Sequence, residues 1–170
     1  MKKFFAVLLI AVLALSTVAF AETYTSDDIS FEYDETAIMV SFEDRTEDET
    51  TVVLNNVDET WGEFFIRFYL SELEDGETFP TLDEFAEMPD TEVTQGEWNG
   101  YTDVIMYTLR SDDGIVQDFF IVPIADEDGE VEEALTIEIG TKTVEDEAEE
   151  IAMGRSDLIS AVIDSLKIDD

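Results

Sequence analysis

The stretch that most constrains this chain is residues 98–122. Val104, Met106 and Thr108 alternate with Ile105, Tyr107 and Leu109, so both faces of a strand here are apolar, the pattern of a strand covered on each side. Ser111, Asp112, Asp113 and Gly114 interrupt the run before residues 115–122 resume it. An Asp-Gly pair flanked by β-branched and aromatic residues is a strong hairpin signal. Two long strands folded about that turn are therefore expected in the middle of one antiparallel sheet, and the other segments have to be placed around them.

The chain starts with a basic Met1-Lys2-Lys3, an apolar run from Phe4 to Leu15 and an Ala19-Phe20-Ala21 cleavage pattern. This reads as a secretory signal peptide over 1–21, too short an apolar run for a spanning helix. Residues 22–170 then form the expected single domain, with enough chain to bury about 70% of its unfolded surface. There is no cysteine, so neither a disulfide nor a lipid on an N-terminal Cys is available. The expected location is secreted or periplasmic, with no stable membrane anchor and with stability drawn from core packing alone.

Charge narrows the partners. The sequence has 44 acidic residues against 8 basic ones and no histidine, a formal net charge of −36. Such a surface repels phosphate backbones and anionic headgroups, so nucleic acid and acidic membranes are poor partners, while cations and basic proteins remain. The same charge would keep a secreted protein soluble or suit it to salty surroundings, where repulsion is screened. Clear apolar periodicity argues against disorder.

Before the central hairpin, Ile29, Phe31 and Tyr33 alternate with Ser30 and Glu32, and Ile38, Val40 and Phe42 with Met39 and Ser41. These predict half-buried strands joined by a turn at Asp34-Glu35-Thr36. Thr51–Leu54 is a third short strand, and the aromatic run from Phe64 to Leu70 a fourth, read as core rather than as the lining of a pocket. Thr81 and Glu84 have capping-box spacing ahead of Leu82, Phe85 and Met88, predicting a short helix stopped by Pro89. Residues 93–96 allow a further strand that turns through Asn99-Gly100. Strict alternation over Ala134–Ile139 predicts the last strand. Thr143 and Asp146 open the longest helix, to about Leu166, with an apolar stripe of Ala148, Ile151, Ala152, Leu158, Ile159, Val162 and Leu166.

That order of elements, with Tyr24–Tyr33 opening a meander, a helix at 82–88, Trp98-Asn99-Gly100-Tyr101 leading into the hairpin and Ile159–Ile168 closing the chain, resembles the PsbP-like or Mog-like family. The resemblance implies an α+β fold, a single antiparallel sheet flanked by helices in an α/β/α sandwich. It also implies a non-enzymatic role, since that group holds extrinsic photosystem II subunits, a Ran-binding protein and secreted or lipid-anchored bacterial proteins. The lipobox cysteine of the anchored members is missing here. No set of functional residues carries across position by position.

Absent residue types exclude much chemistry. Without His or Cys there is no Ser-His-Asp or Cys-His triad and no zinc, copper or haem site of the usual ligation. A Ser-Lys pair would have to recruit Lys142 or Lys167, both near ends of surface elements. Gly-rich phosphate loops are also missing. Carboxylates remain, and a pair across a cleft would serve a glycosidase-type hydrolase. Asp103, Asp118 and Glu138 lie inside apolar strands, yet alternation puts each most simply on a solvated face. Asp126, Asp128 and Glu130, with Glu132 and Glu133 nearby, gather oxygen ligands about Gly129 and form a weak calcium candidate, although the EF-hand register fails at Ile124 and Leu135. An ordinary Asp-x-Asp-Gly turn is the plainer reading of the same residues. The expectation is a non-catalytic binding protein with a strongly acidic surface and no cofactor beyond weak Ca²⁺. Its partner would be a protein or envelope component, with a carboxylate hydrolase or a calcium-binding protein as the alternatives.

Overall fold

Period-two alternation governs almost every segment, and in the computed structural model it yields ten strands and two helices among the described residues. Those residues are 21–168 without 27, 47, 58–63, 75, 86, 87, 89, 90, 111–114, 127 and 143–147, and of 21, 115, 142 and 148–156 only the backbone course. The signal segment over 1–20, the turn at 111–114, Trp61 and the capping residues Thr143 and Asp146 fall outside them.

The strands are β1 (Ala21–Thr25), β2 (Ile29–Asp34), β3 (Ile38–Arg45), β4 (Glu49–Asn56), β5 (Phe64–Glu72), β6 (Val93–Trp98), β7 (Tyr101–Arg110), β8 (Ile115–Ala125), β9 (Val131–Lys142) and β10 (Lys167–Ile168). The helices are α1 (Leu82–Phe85) and α2 (Ala148–Ser165). Seven strands make one antiparallel sheet in the order β3-β4-β5-β9-β8-β7-β6, and β1-β2-β10 make a second, three-stranded one.

The α/β/α sandwich is therefore overturned. The described residues are mostly β, with two antiparallel sheets and two helices. The expected single sheet failed at its ends: Thr23 to Thr25 pair with Ser30 to Glu32, and Lys167-Ile168, read as the end of a helix, pair with Ser30 and Ile29. Of the helix expected over 82–88 the described residues form the single turn α1, and of its capping box only the Glu84 half forms: the Thr81 amide and Oγ1 both donate to Glu84 Oε2, while the Glu84 amide bonds to the Thr81 carbonyl at 3.1 Å. One helical turn cannot form the second helical layer that a sandwich needs. The β7–β8 hairpin is present, but next to the β6 edge; the middle strand is β9.

One core lies between the large sheet and the layer made of the small sheet and α2. Val52, Leu54, Ile66, Phe68, Val104, Val122, Leu135 and Ile137 project into it from the large sheet, and Ile29 and Phe31 meet them from β2. The Phe31 ring lies 5.1 Å from that of Phe68. From α2 come Val162, Ile163 and the following Leu166, with Leu158 and Ile159 at their edge. Polar ties fix the layers. Thr50 donates to Asp28 Oδ2 at 2.6 Å, the Glu32 amide to Ser165 Oγ at 2.8 Å, and the Asn99 side chain to the Ile163 carbonyl at 3.0 Å. Asn99 and Gly100 both have positive φ, 47° and 87°, as a two-residue hairpin turn between right-twisted strands requires.

Two irregularities redirect side chains. In β7, Thr102 and Asp103 together oppose Glu97, a bulge with Asp103 at φ 59°. In β3 the register shifts between Val40 and Phe42, leaving Ser41 as the extra residue. Ser41 donates to the Val53 carbonyl at 3.1 Å. Ile38 and Val40 therefore face the core as alternation predicts, whereas Phe42 is turned to the opposite face and is 51% exposed.

Core and outer-face aromatics should separate in mutation. Phe68→Ala, fully buried, is expected to lower the unfolding free energy by about 3–5 kcal/mol in urea titrations. Phe42→Ala is expected to change it by less than about 1 kcal/mol.

Candidate functional site

Antiparallel register lines up one residue from each strand in a row across the sheet, and one such row on the outer face is chemically unusual. Phe42, Val53, Arg67, Glu138, Phe119, Tyr107 and Val93 are successive cross-strand partners from β3 to β6. An ion pair thus sits in the middle of the sheet with apolar and aromatic neighbours on either side. Arg67 Nη1 lies 2.9 Å from Glu138 Oε2, and Gln117 donates to Glu138 Oε1 at 2.6 Å. The Glu138 side chain is 5% exposed and that of Arg67 49%. A carboxylate so far from water must be paired and hydrogen-bonded, and both its oxygens are.

The flanking residues hold this pair in place. On one side Phe65 lies over Gly140, its direct partner on β9. A Cβ at Gly140 would come within 2.7 Å of three Phe65 ring carbons, so only glycine admits the ring there. The Arg67 guanidinium carbon in turn stands 6.0 Å from the centroid of that ring, within reach of a cation–π attraction. On the other side Phe119 stacks on Tyr107 at 4.7 Å with an 8° interplanar angle, and Phe85 of α1 covers Tyr107 at 5.6 Å. The single turn of α1 thus closes one end of the row, while its β3 end stays open at Phe42.

A groove of about 500 Å³ follows the row across the strands, lined by Phe42, Val53, Arg67, Glu138 and Phe119 with the hydroxyl-bearing Thr51, Tyr69 and Thr136 alongside. Tyr69 donates to Glu49 Oε1 at 2.6 Å, and this bond, with burial, raises its pKa above the usual value near 10. Burial, followed by the negative charge of Glu138, does the same to Tyr107. A second hollow of about 410 Å³ at the β6–β8 end shares Phe119 with this groove and has Tyr107 as a further wall residue.

Residues singled out in the sequence are scattered by comparison. Asp126 caps its own turn: Oδ1 accepts the amides of Asp128 and Glu130 at 2.9 and 2.8 Å, with Gly129 at φ 86°. Among the described residues no group of three or more Asp or Glu is gathered in a way that could hold a metal ion. Asp118 accepts from Thr108 Oγ1 at 2.6 Å and belongs to the sheet face that carries Phe120 and Val122, whereas Glu138 belongs to the other. Asp103 sits exposed on the β7 bulge. The three strand carboxylates therefore do not converge on one cleft. Glu138 departs most from expectation, being buried instead of solvated. Phe42, Arg67, Gln117 and Phe119 were not picked out in the sequence. Arg67 had a signal, as the one cation inside an aromatic strand of a very acidic chain.

No protein-family model, no curated protein and no solved structure matches this chain. The likeness to the PsbP-like and Mog-like group therefore rests on the order of sequence patterns alone. No helix among the described residues is long and apolar enough to cross a membrane.

Removing one partner of the pair should cost more than removing both. Arg67→Met is expected to destabilise the protein by about 1–3 kcal/mol at pH 7, discounted for the half-exposed guanidinium, and Arg67→Met with Glu138→Gln to recover most of that in a thermal double-mutant cycle. All five tyrosines, Tyr24, Tyr33, Tyr69, Tyr101 and Tyr107, have raised pKa values, chiefly from burial except at Tyr69. A raised folded-state pKa leaves stability intact below the unfolded value of about 10 and removes it as pH climbs towards the folded one. Urea midpoints are accordingly expected to hold below about pH 10 and to fall as pH rises above it.

Proposed function

We propose that this is a non-catalytic binding protein of the cell exterior, taking a protein or other envelope component on the outer face of its large sheet. One observation carries the reading: a groove of about 500 Å³ crosses five strands over an ion pair with a buried carboxylate and a half-exposed guanidinium, between the exposed Phe42 and the stacked Phe119. Burying Glu138 opposite Arg67 is a poor way to gain stability, because well-packed apolar residues would do as well or better. Polar groups fixed among apolar walls are what a binding site uses to orient a ligand. The signal-like residues 1–21 and the net charge of −36 support an extracellular setting and disfavour nucleic acids and anionic membranes.

Nitrogen-15 and carbon-13 spectra of the labelled protein, titrated with pooled peptides, oligosaccharides and small amphiphiles, test this. Binders are expected to shift the Gln117 side-chain amide, the Arg67 Nε–H and the Gly140 amide. If every binder found shifts only other surfaces, such as the Asp126–Glu130 turn, or if no pool produces shifts, the reading fails.

A further inference from the structure

We infer that the groove takes an uncharged, linear, polyhydroxylated chain, an oligosaccharide of neutral sugars laid across the strands; this rests on the binding reading above and names its ligand class. Phe42 and Phe119 are four strand steps apart in the cross-sheet row, about 19 Å at roughly 4.8 Å per step. That span suits several linked pyranose rings. A pyranose has apolar C–H faces and a rim of hydroxyls, and the groove has the matching order, with an aromatic ring at each end and polar groups between. Arg67, half exposed, offers donors, the Tyr69 oxygen, whose proton goes to Glu49, an acceptor, and Thr51 and Thr136 hydroxyls that can serve as either. Ring hydroxyls, each both donor and acceptor, can satisfy all three kinds at once.

Charge decides among the alternatives. The Arg67 and Glu138 charges cancel within the groove, so its floor selects for neither sign. An anionic chain, or a second copy of this protein, would have to approach a molecule of net charge −36. A basic peptide would be drawn to the outer surface, but would bring its cations down onto the half-exposed guanidinium of Arg67. On a sheet face, moreover, the main-chain N–H and C=O groups are spent in the ladder, so an extended peptide finds no backbone partners of the kind an edge strand supplies. Sugars need none.

The test is affinity electrophoresis, then calorimetry, of the purified protein with uncharged polysaccharides and their oligomers, namely β-1,4- and β-1,3-glucans, α-glucan, mannan and xylan, at 50 and 500 mM NaCl. At least one linkage class is expected to bind with an affinity that changes less than twofold with salt. Phe42→Ala, on an exposed ring, is expected to weaken it about tenfold, the loss of one stacking platform. Arg67→Met is expected to weaken it at least as much, while Asp126→Asn leaves it unchanged. Circular dichroism melts confirm that each variant is folded. The inference is overturned if no uncharged sugar binds, if binding survives both Phe42→Ala and Arg67→Met, or if the groove responds only to basic peptides and loses them at 500 mM NaCl. In the last case the groove would still be a binding site, and the spectra described above would separate that outcome from failure of the whole reading.

Discussion

The register of β9 against β5 is the constraint on which the rest depends. Ile137 opposite Phe68 and Leu135 opposite Leu70 place one face of the central pair in the core, and the same register brings Glu138 opposite Arg67 on the other. A slip by one residue would turn one strand over relative to the other, carrying either Arg67 or Glu138 onto the core face and either Phe68 or Ile137 out of it. The site and the core are thus two consequences of one alignment. The ion pair also acts against slippage, because any other register leaves Glu138 without its charge partner. Gly140 adds a second lock, since the Phe65 ring can lie down only over a residue without a side chain.

Around that centre, the two faces of the large sheet have unequal fates. The core face is covered by β2 and α2, with Phe31, Val162 and Ile163 supplying apolar bulk. The outer face is covered towards β6 and β7, where Phe85 rests on Tyr107 and Ile105 is fully buried. Towards β3 it stays accessible, with Met39 and Phe42 among the most exposed large apolar side chains. Exposed aromatics on an edge strand invite pairing with other chains, and β3 carries two of the features that discourage it, the Ser41 bulge and the charged run Glu43-Asp44-Arg45. A strongly negative surface adds a longer-range barrier to self-association. An open apolar face is therefore compatible with a chain that remains dispersed.

Much of the strand pattern was legible. Alternation located β2, β3, β4, β5 and β9, the Asn99-Gly100 turn formed as its residues require, and Glu84 reached back to the Thr81 amide. The architecture was not, for local reasons. Thr23 and Thr25 offer little apolar alternation, so β1 had no signal of its own, and β10 is two residues following a helix. Once β2 is recruited into a second sheet, the layer opposite the core face is part β and part α, and the sandwich expectation fails. The candidate site was hidden for a different reason. Its residues come from five strands and meet only through cross-strand register, which a linear pattern does not encode. Phe42 is the clearest case. Simple alternation groups it with Ile38 and Val40, and a single extra residue at Ser41 moves it to the other side of the sheet.

That bulge links the fold to the candidate site more directly than any other local feature. Without it Phe42 would continue the core face of β3, and the groove would lose the ring at its open end. The bulge is held by side chains, Ser41 donating to the Val53 carbonyl and Asn55 to Ser41 Oγ, so it is built into the sheet. The far end of the groove is fixed with equal care by the Phe119–Tyr107–Phe85 stack. Between them lies a neutralised charge pair whose carboxylate is shut away from water. On the binding reading proposed above, two rigid ring platforms and a centre of cancelled charge, on a surface that repels anions, suit ligands that are long, partly apolar and uncharged. A mobile loop could not impose that combination, because both the spacing and the polarity are set by hydrogen-bonded strands.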